Sequence, residues 1–178
     1  MSKNTKTPDF YNSKVARSYL FGEVNFESVK KVIMDIDIAS SDEKIESILL
    51  TICSGGGNLM AGFSLFEHIK NSPKSVNILI NSWCGSAALM ILQSGKKRFA
   101  TKMSRFLAHS SSHSIEKKMP IEELGQYLKM NEVSHKTFID LTISKTKMNY
   151  AEFLQKYTPT TTFDAEEALK LGFIDQII

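Results

Sequence analysis

NSWCGSAALMILQS, residues 81–94, is the stretch on which the reading of this 178-residue chain turns. Its first half is small and polar, running through Asn81, Ser82, Trp83 and Cys84 to Gly85–Ser86, and its second half, Ala87 to Leu92, is wholly apolar. Just upstream, VNILIN (76–81) has the β-branched character of a buried strand, so Ser86 is expected at a sharp strand-to-helix junction. Such an elbow holds a hydroxyl clear of the chain, next to the first amides of a helix, as a nucleophilic serine requires. A Gly-Ser pair at such a junction also serves to let a helix pack closely on a sheet. On this segment alone, packing is the more economical reading.

Outward from the elbow the same alternation continues. SYLFGEV (18–24) reads as a strand, followed by a helix capped at Asn25, with Ser28 as a weak partner, and carrying Val29, Val32, Ile33 and Ile36 on one face. SILLTIC (47–53) reads as a buried strand, SGGGN (54–58) as a sharp turn, and LMAGFSLFEHIK (59–70) as a helix with the stripe Leu59, Phe63, Phe66 and Ile69. Further on, RFLAHS (105–110) is a strand candidate, and the longest helical pattern runs from Pro120 to about Lys145, with a short helix around 150–156. Asp164 with Glu167 reads as a capping box for a closing helix that ends at Gly172, and FIDQII (173–178) as a last strand. The rhythm predicts one α/β domain over 1–178 with mostly parallel pairing and a mobile segment at 1–13.

Composition narrows the class. With 42% hydrophobic and 23% charged residues and a net charge of +3, the chain has the balance of a soluble globule and no basic stripe for nucleic acid. Lys96, Lys97 and Arg98, the densest basic run, read as a solvated turn. Cys53 and Cys84 lack metal-ligand spacing and read as buried thiols of a reducing compartment, and no metal or cofactor is expected. The opening MSKNTKTPDF has no apolar signal core, and no stretch reaches the ~18 apolar residues of a membrane span, so a cytoplasmic protein is expected.

Two further features bear on Ser86. Gly55–Gly56–Gly57 follows a buried strand; three glycines in a row imply unusual dihedrals or the close approach of another chain, and the lysine of a phosphate loop is missing. His109 ends its strand candidate among small polar residues, where either a general base or a surface histidine would sit.

Taken in order, FGEVN (21–25), ICSGGGNLMAG (52–62), CGSAA (84–88), SRFLAH (104–109) and TFDAEEALKLGFID (162–175) resemble the proteolytic subunit of the Clp protease family, most closely its phage and plasmid forms. The resemblance covers nearly the whole chain. It implies the α/β ClpP/crotonase-like fold, with repeated β-β-α units and a protruding long handle helix at 120–145. It also implies a serine endopeptidase with Ser86 as nucleophile and His109 as general base. The amides of Gly56 and Ala87 would then form the oxyanion hole, with Gly56, Gly57 and Asn58 pairing with substrate backbone. By the same resemblance the partners are further copies of the chain, in heptameric rings stacked to a tetradecamer, an AAA+ unfoldase, and unfolded proteins or peptides as substrates.

The chain departs from the family where an acid should orient the histidine: that position is Thr160, and Asp164 is the nearest acid. The departure leaves open a catalytically impaired subunit that completes or regulates a mixed ring. The N-terminus also lacks the apolar segment with which the family meets its ATPase.

Overall fold

A computed structural model describes residues 9–109, 120–158 and 160–178. Seven strands form one sheet, β1 (Val15–Val24), β2 (Ser47–Gly57), β3 (Ser75–Gly85), β4 (Arg98–Ala100), β5 (Arg105–Ala108), β6 (Thr161–Asp164) and β7 (Gln176–Ile177). The helices between them are α1 (Phe26–Ser41), α2 (Leu59–Lys70), α3 (Ala87–Leu92), α4 (Ile121–Ile143), α5 (Tyr150–Tyr157) and α6 (Ala165–Leu171). The main path runs β1-β2-β3-β4-β7, all parallel, and the fold is α/β as expected.

The central strands are apolar because they are covered. Ile48, Leu49, Leu50 and Ile52 of β2 are all buried, the signature of a strand with elements on both faces. All six residues of α3 are buried, so the run Ala87–Leu92 is a core helix and needs no polar face.

β3 is longer than β4 and β5 and takes the two of them as partners in succession. Its first half pairs with β4, Ile78 opposite Arg98 through Ile80 opposite Ala100. Its second half pairs with β5, Trp83 opposite Arg105 through Gly85 opposite Leu107. Register shifts in β1 between Phe21 and Glu23, and in β2 between Ile52 and Ser54, fall at the same level. β5 then pairs antiparallel with β6. The upper sheet, β5 and β6 with the ends of β1 to β3, carries the candidate site.

Several local readings are corrected. Ser28 is a full partner rather than a weak one: Asn25 Oδ1 accepts from its N–H at 2.9 Å and Ser28 Oγ accepts from the Asn25 N–H at 3.0 Å. Only half of the expected capping box at α6 forms. Asp164 accepts from the Glu167 amide at 2.9 Å, whereas the Glu167 carboxylate is drawn to Lys156. The buried face of α2 is rotated from the expected stripe to Ala61, Gly62, Leu65, Phe66 and Ile69, because its small residues let the helix approach α3; a methyl on Gly62 would lie 3.1 Å from Met90 Cε.

The largest correction concerns Arg98, which is not solvated. It is 6% exposed, its Nη2 donates to Asp175 Oδ1 at 2.6 Å and its Nε to Oδ2 at 3.1 Å, and its Nη1 reaches Gln93 Oε1 and Gly172 O at 2.6 and 2.8 Å. Lys96 and Lys97 alone face solvent. Of the segment 1–13 expected to be mobile, 1–8 lies outside the described residues; 9–13 runs through turns, with Phe10 packed edge-on to Phe99 at 5.2 Å.

α4 begins after Pro120, which is its N-cap rather than its first turn, and buries only Phe138, Ile139 and Thr142 near its far end. Ile121, Leu128, Met130 and Val133 stand exposed along the rest. At 1.5 Å per residue it is about 35 Å long, so most of it projects beyond the core.

Candidate active site

The chain turns at Ser86 in a conformation that L-residues seldom adopt. Its φ of 52° and ψ of −124° make it the single positive-φ residue other than glycine among those described. What holds it there is the sheet: its N–H donates to Leu107 O at 3.0 Å, and its carbonyl accepts from Leu89 and Met90 to start α3. Ser86 sits at the N-cap, the position where a serine side chain usually bonds the helix, yet it makes no side-chain cap hydrogen bond. The half-buried hydroxyl is thus left out of the helix's own bonding.

Gly56 lies against this serine. A Cβ there would sit 2.6 Å from Ser86 Cβ, 2.7 Å from Gly85 O and 2.9 Å from Ala87 N, and φ is 101°. Only a bare backbone fits, which answers why the sequence has a glycine run. Pairing with β3 stops at Ser54 opposite Cys84, so beyond it Gly55–Gly57 keeps β1 on one edge and has no β3 partner on the other.

Not every residue of that segment is available. The Gly56 N–H donates to the buried Ser54 Oγ at 3.1 Å, a contact with no signature in the local pattern of residues. Both backbone groups of Asn58 are bonded: its N–H donates to Val24 O at 2.7 Å and its carbonyl accepts from Gly62, while its side-chain oxygen caps α2 through the Ala61 amide at 2.9 Å. Of the residues expected to pair with substrate backbone, Gly56, Gly57 and Asn58, the last is the N-cap of α2. Ala87, at the first position of α3, carries one of the amides that a helix leaves without an internal acceptor.

His109 is the residue just past β5, half-buried, two positions beyond the Leu107 whose carbonyl holds Ser86. Two residues of strand rise put its Cα about 7 Å from that of Leu107, on the same strand face. The β5–β6 register then separates the two candidates for a third member. It pairs Arg105 with Asp164 and ends at Ala108 opposite Thr161, so His109 and Thr160 are each the next residue beyond the pairing. Asp164 is four residues away along the strand, roughly 13 Å, and its carboxylate caps α6.

Cys84 offers no competing nucleophile. Burial pushes its thiol far up, the neighbouring Cys53 adds to this, and only the thiolate reacts. Both cysteines are free, Cys53 being half-buried. Among the described residues no group of three or more His, Cys, Asp or Glu could hold a metal, and no helix is long and apolar enough to cross a membrane.

A model of the Clp protease family matches residues 4–178. Curated relatives include the ATP-dependent Clp protease proteolytic subunit 1 of Protochlamydia amoebophila, 26% identical over 91% of this chain and 80% of its own length. Subunit 2 of Bifidobacterium longum is 25% identical over 88% of this chain and 75% of its own length. The proteolytic subunit of Deinococcus radiodurans is 24% identical over 99% and 87%.

Proposed function

The chain belongs to the Clp protease family and is a serine-type peptidase, and on that footing we propose that Ser86 and His109 cut peptide bonds of unfolded chains inside an oligomeric chamber. The observation that carries this reading is the Ser86 elbow. A positive-φ serine, held by the sheet and left out of its helix's capping, stands against a glycine that tolerates no side chain. Strained backbone of this kind persists only where the surrounding structure imposes it.

A substrate strand laid along the vacated edge of Gly56–Gly57 brings its carbonyl to Ser86. His109 takes the Ser86 proton as Oγ attacks, then returns it to the leaving amine. The tetrahedral oxygen meets the Ala87 N–H and the Gly56 N–H, the latter once released from Ser54 Oγ; each such donor is worth about 3 kcal/mol in comparable sites. Water then repeats the sequence on the acyl-enzyme.

The exposed apolar side chains of α4 support its use as a handle against a further copy. So do Tyr19 and Phe21 on the edge strand β1, beside a groove of about 550 Å³ that reaches Met34 and Ile38. Stacked heptamers and an AAA+ unfoldase are the assembly and partner this reading implies, with a cytoplasmic setting.

A second reading, an impaired subunit in a mixed ring, is favoured by one observation: the residue just before β6, one past the β5–β6 pairing as His109 is, is the exposed Thr160, whose hydroxyl cannot offset an imidazolium. A fluorophosphonate probe separates the two. Labelling of the assembled wild type and not of Ser86→Ala supports the peptidase; an unlabelled, intact ring leaves only the impaired subunit.

A further inference from the structure

At the opposite end of β3 from Ser86 lies a cavity of about 280 Å³ with mainly polar walls. It opens between the end of α2, the turn into β3, the turn after α3, and the residues that follow α4. Lys70, Lys74, Lys96 and Lys145 line it, and none of its lining residues is acidic.

The ends of α1 and α3 account for part of this charge, since ammonium groups bond exposed helix carbonyls. Lys145 Nζ donates to Gly95 O at 2.5 Å, and Lys74 Nζ donates to Ala39 O at 3.0 Å and to Asp42 O. An ammonium carries three donors, so two remain on Lys145 and one on Lys74. Lys70 and Lys96 make no ion pair among the described residues. The surplus is felt locally: burial lowers the pKa of Lys145, and the charges of Arg98, Lys70 and Lys96 lower it further against the opposing charge of Asp175.

A second, independent observation points the same way. Ser72 Oγ, on the same wall, is buried without a hydrogen-bond partner. A buried hydroxyl left unpaired costs about 1–3 kcal/mol, which a bound acceptor would recover.

We propose that this cavity is an anion site that takes a phosphate or pyrophosphate group, free or carried on a small phosphate ester. Lys70, Lys96 and Lys145 supply the charge-assisted donors and Ser72 the neutral one. The bound anion ties the end of α2 to the 94–97 turn and to the end of α4, so it stiffens the root of the projecting helix without touching Ser86.

Calorimetric titration of the full chain with pyrophosphate, in low-salt buffer, tests this. Expected is saturable binding, weakened about tenfold by Lys96→Gln and by Lys70→Gln and unchanged by Lys129→Gln on the exposed face of α4. Thermal melts without ligand guard against misfolding, and Lys96→Gln should melt at or above the wild-type temperature because it relieves repulsion. Parallel titrations with inorganic phosphate and a nucleoside monophosphate identify the source, tighter binding of the ester assigning the site to esters and the reverse to the free anion. No saturable binding up to about 10 mM pyrophosphate, or binding equally strong in Lys70→Gln and Lys96→Gln, overturns the proposal.

Discussion

β3 is flanked by two short strands that end in opposite ways. Beside its first half, β4 begins with Arg98, whose guanidinium is bonded on every side by Asp175, Gln93 and Gly172. Beside its second half, β5 leads into His109, next to a serine whose hydroxyl its helix does not use and a glycine edge with no β3 partner. The Arg98 cluster is closed, the guanidinium being bonded within the protein. The second end is open, with the Ser86 hydroxyl left out of its helix's bonding and a glycine edge without a β3 partner. Polar residues in a core serve stability when their bonding is complete, and chemistry when it is left incomplete on purpose.

The contrast can be broken first at its closed end. Arg98→Ala strands the Asp175 carboxylate, so unfolding should become easier by about 3–5 kcal/mol, read by denaturant titration. A loss under 1 kcal/mol would show that the cluster is not what holds β4 to β7. At the open end, Gly56→Ala drives a methyl into Ser86 and Gly85. Peptide hydrolysis should drop by about 10²–10³, the cost of one oxyanion donor, while the chain remains folded by circular dichroism. Unchanged turnover would remove Gly56 from the site.

Thr160→Asp is the sharpening experiment. An acid opposite His109 should raise kcat by about tenfold or more, since acids in that role are worth far more elsewhere. It should also move the acid limb of the pH–rate profile upward, because a nearby carboxylate favours the imidazolium. No gain would mean that His109 is already held by other contacts. The smallest effect lies back at the closed end. Burial by itself raises the Asp175 carboxyl, but the hydrogen bonds and charge of Arg98 outweigh it and hold the carboxyl below its ordinary value of 3.8. Its contribution to stability is therefore complete above that ordinary value and is lost as pH falls through the lower folded one. Asp175→Asn should flatten this part of the acid-unfolding curve below about pH 4, and an unaltered curve would show that other carboxylates govern it.

Legibility in the sequence followed the range of the interaction. The first parts of β2 and β3, the capped start of α1 and the left-handed Gly172 were readable because each rests on a few neighbouring residues. Ser86 was visible for the same reason, as an elbow between an apolar strand and an apolar helix. Arg98 was misread because its partner lies 77 positions on, and nothing near KKR distinguishes a buried guanidinium from a solvated one. Asn58 read as part of a substrate edge because its local sequence continues the glycine run; its capping bonds show only when α2 is in place. Ser54 went unnoticed, since a serine at the end of a strand carries no pattern.

By itself, then, the chain determined the alternation of strands and helices, the serine at the elbow and the absence of side chains at 55–57, all of them matters of local bonding and periodicity. Tertiary structure alone decided which of those groups face one another. It set Gly56 on Ser86, paired Asp164 with Arg105 at the far end of β5 from His109, and gathered four lysines around one cavity. The physical reason is register. A one-residue slip between β5 and β6 would change every partner across the pair, and register is fixed by packing over the whole sheet.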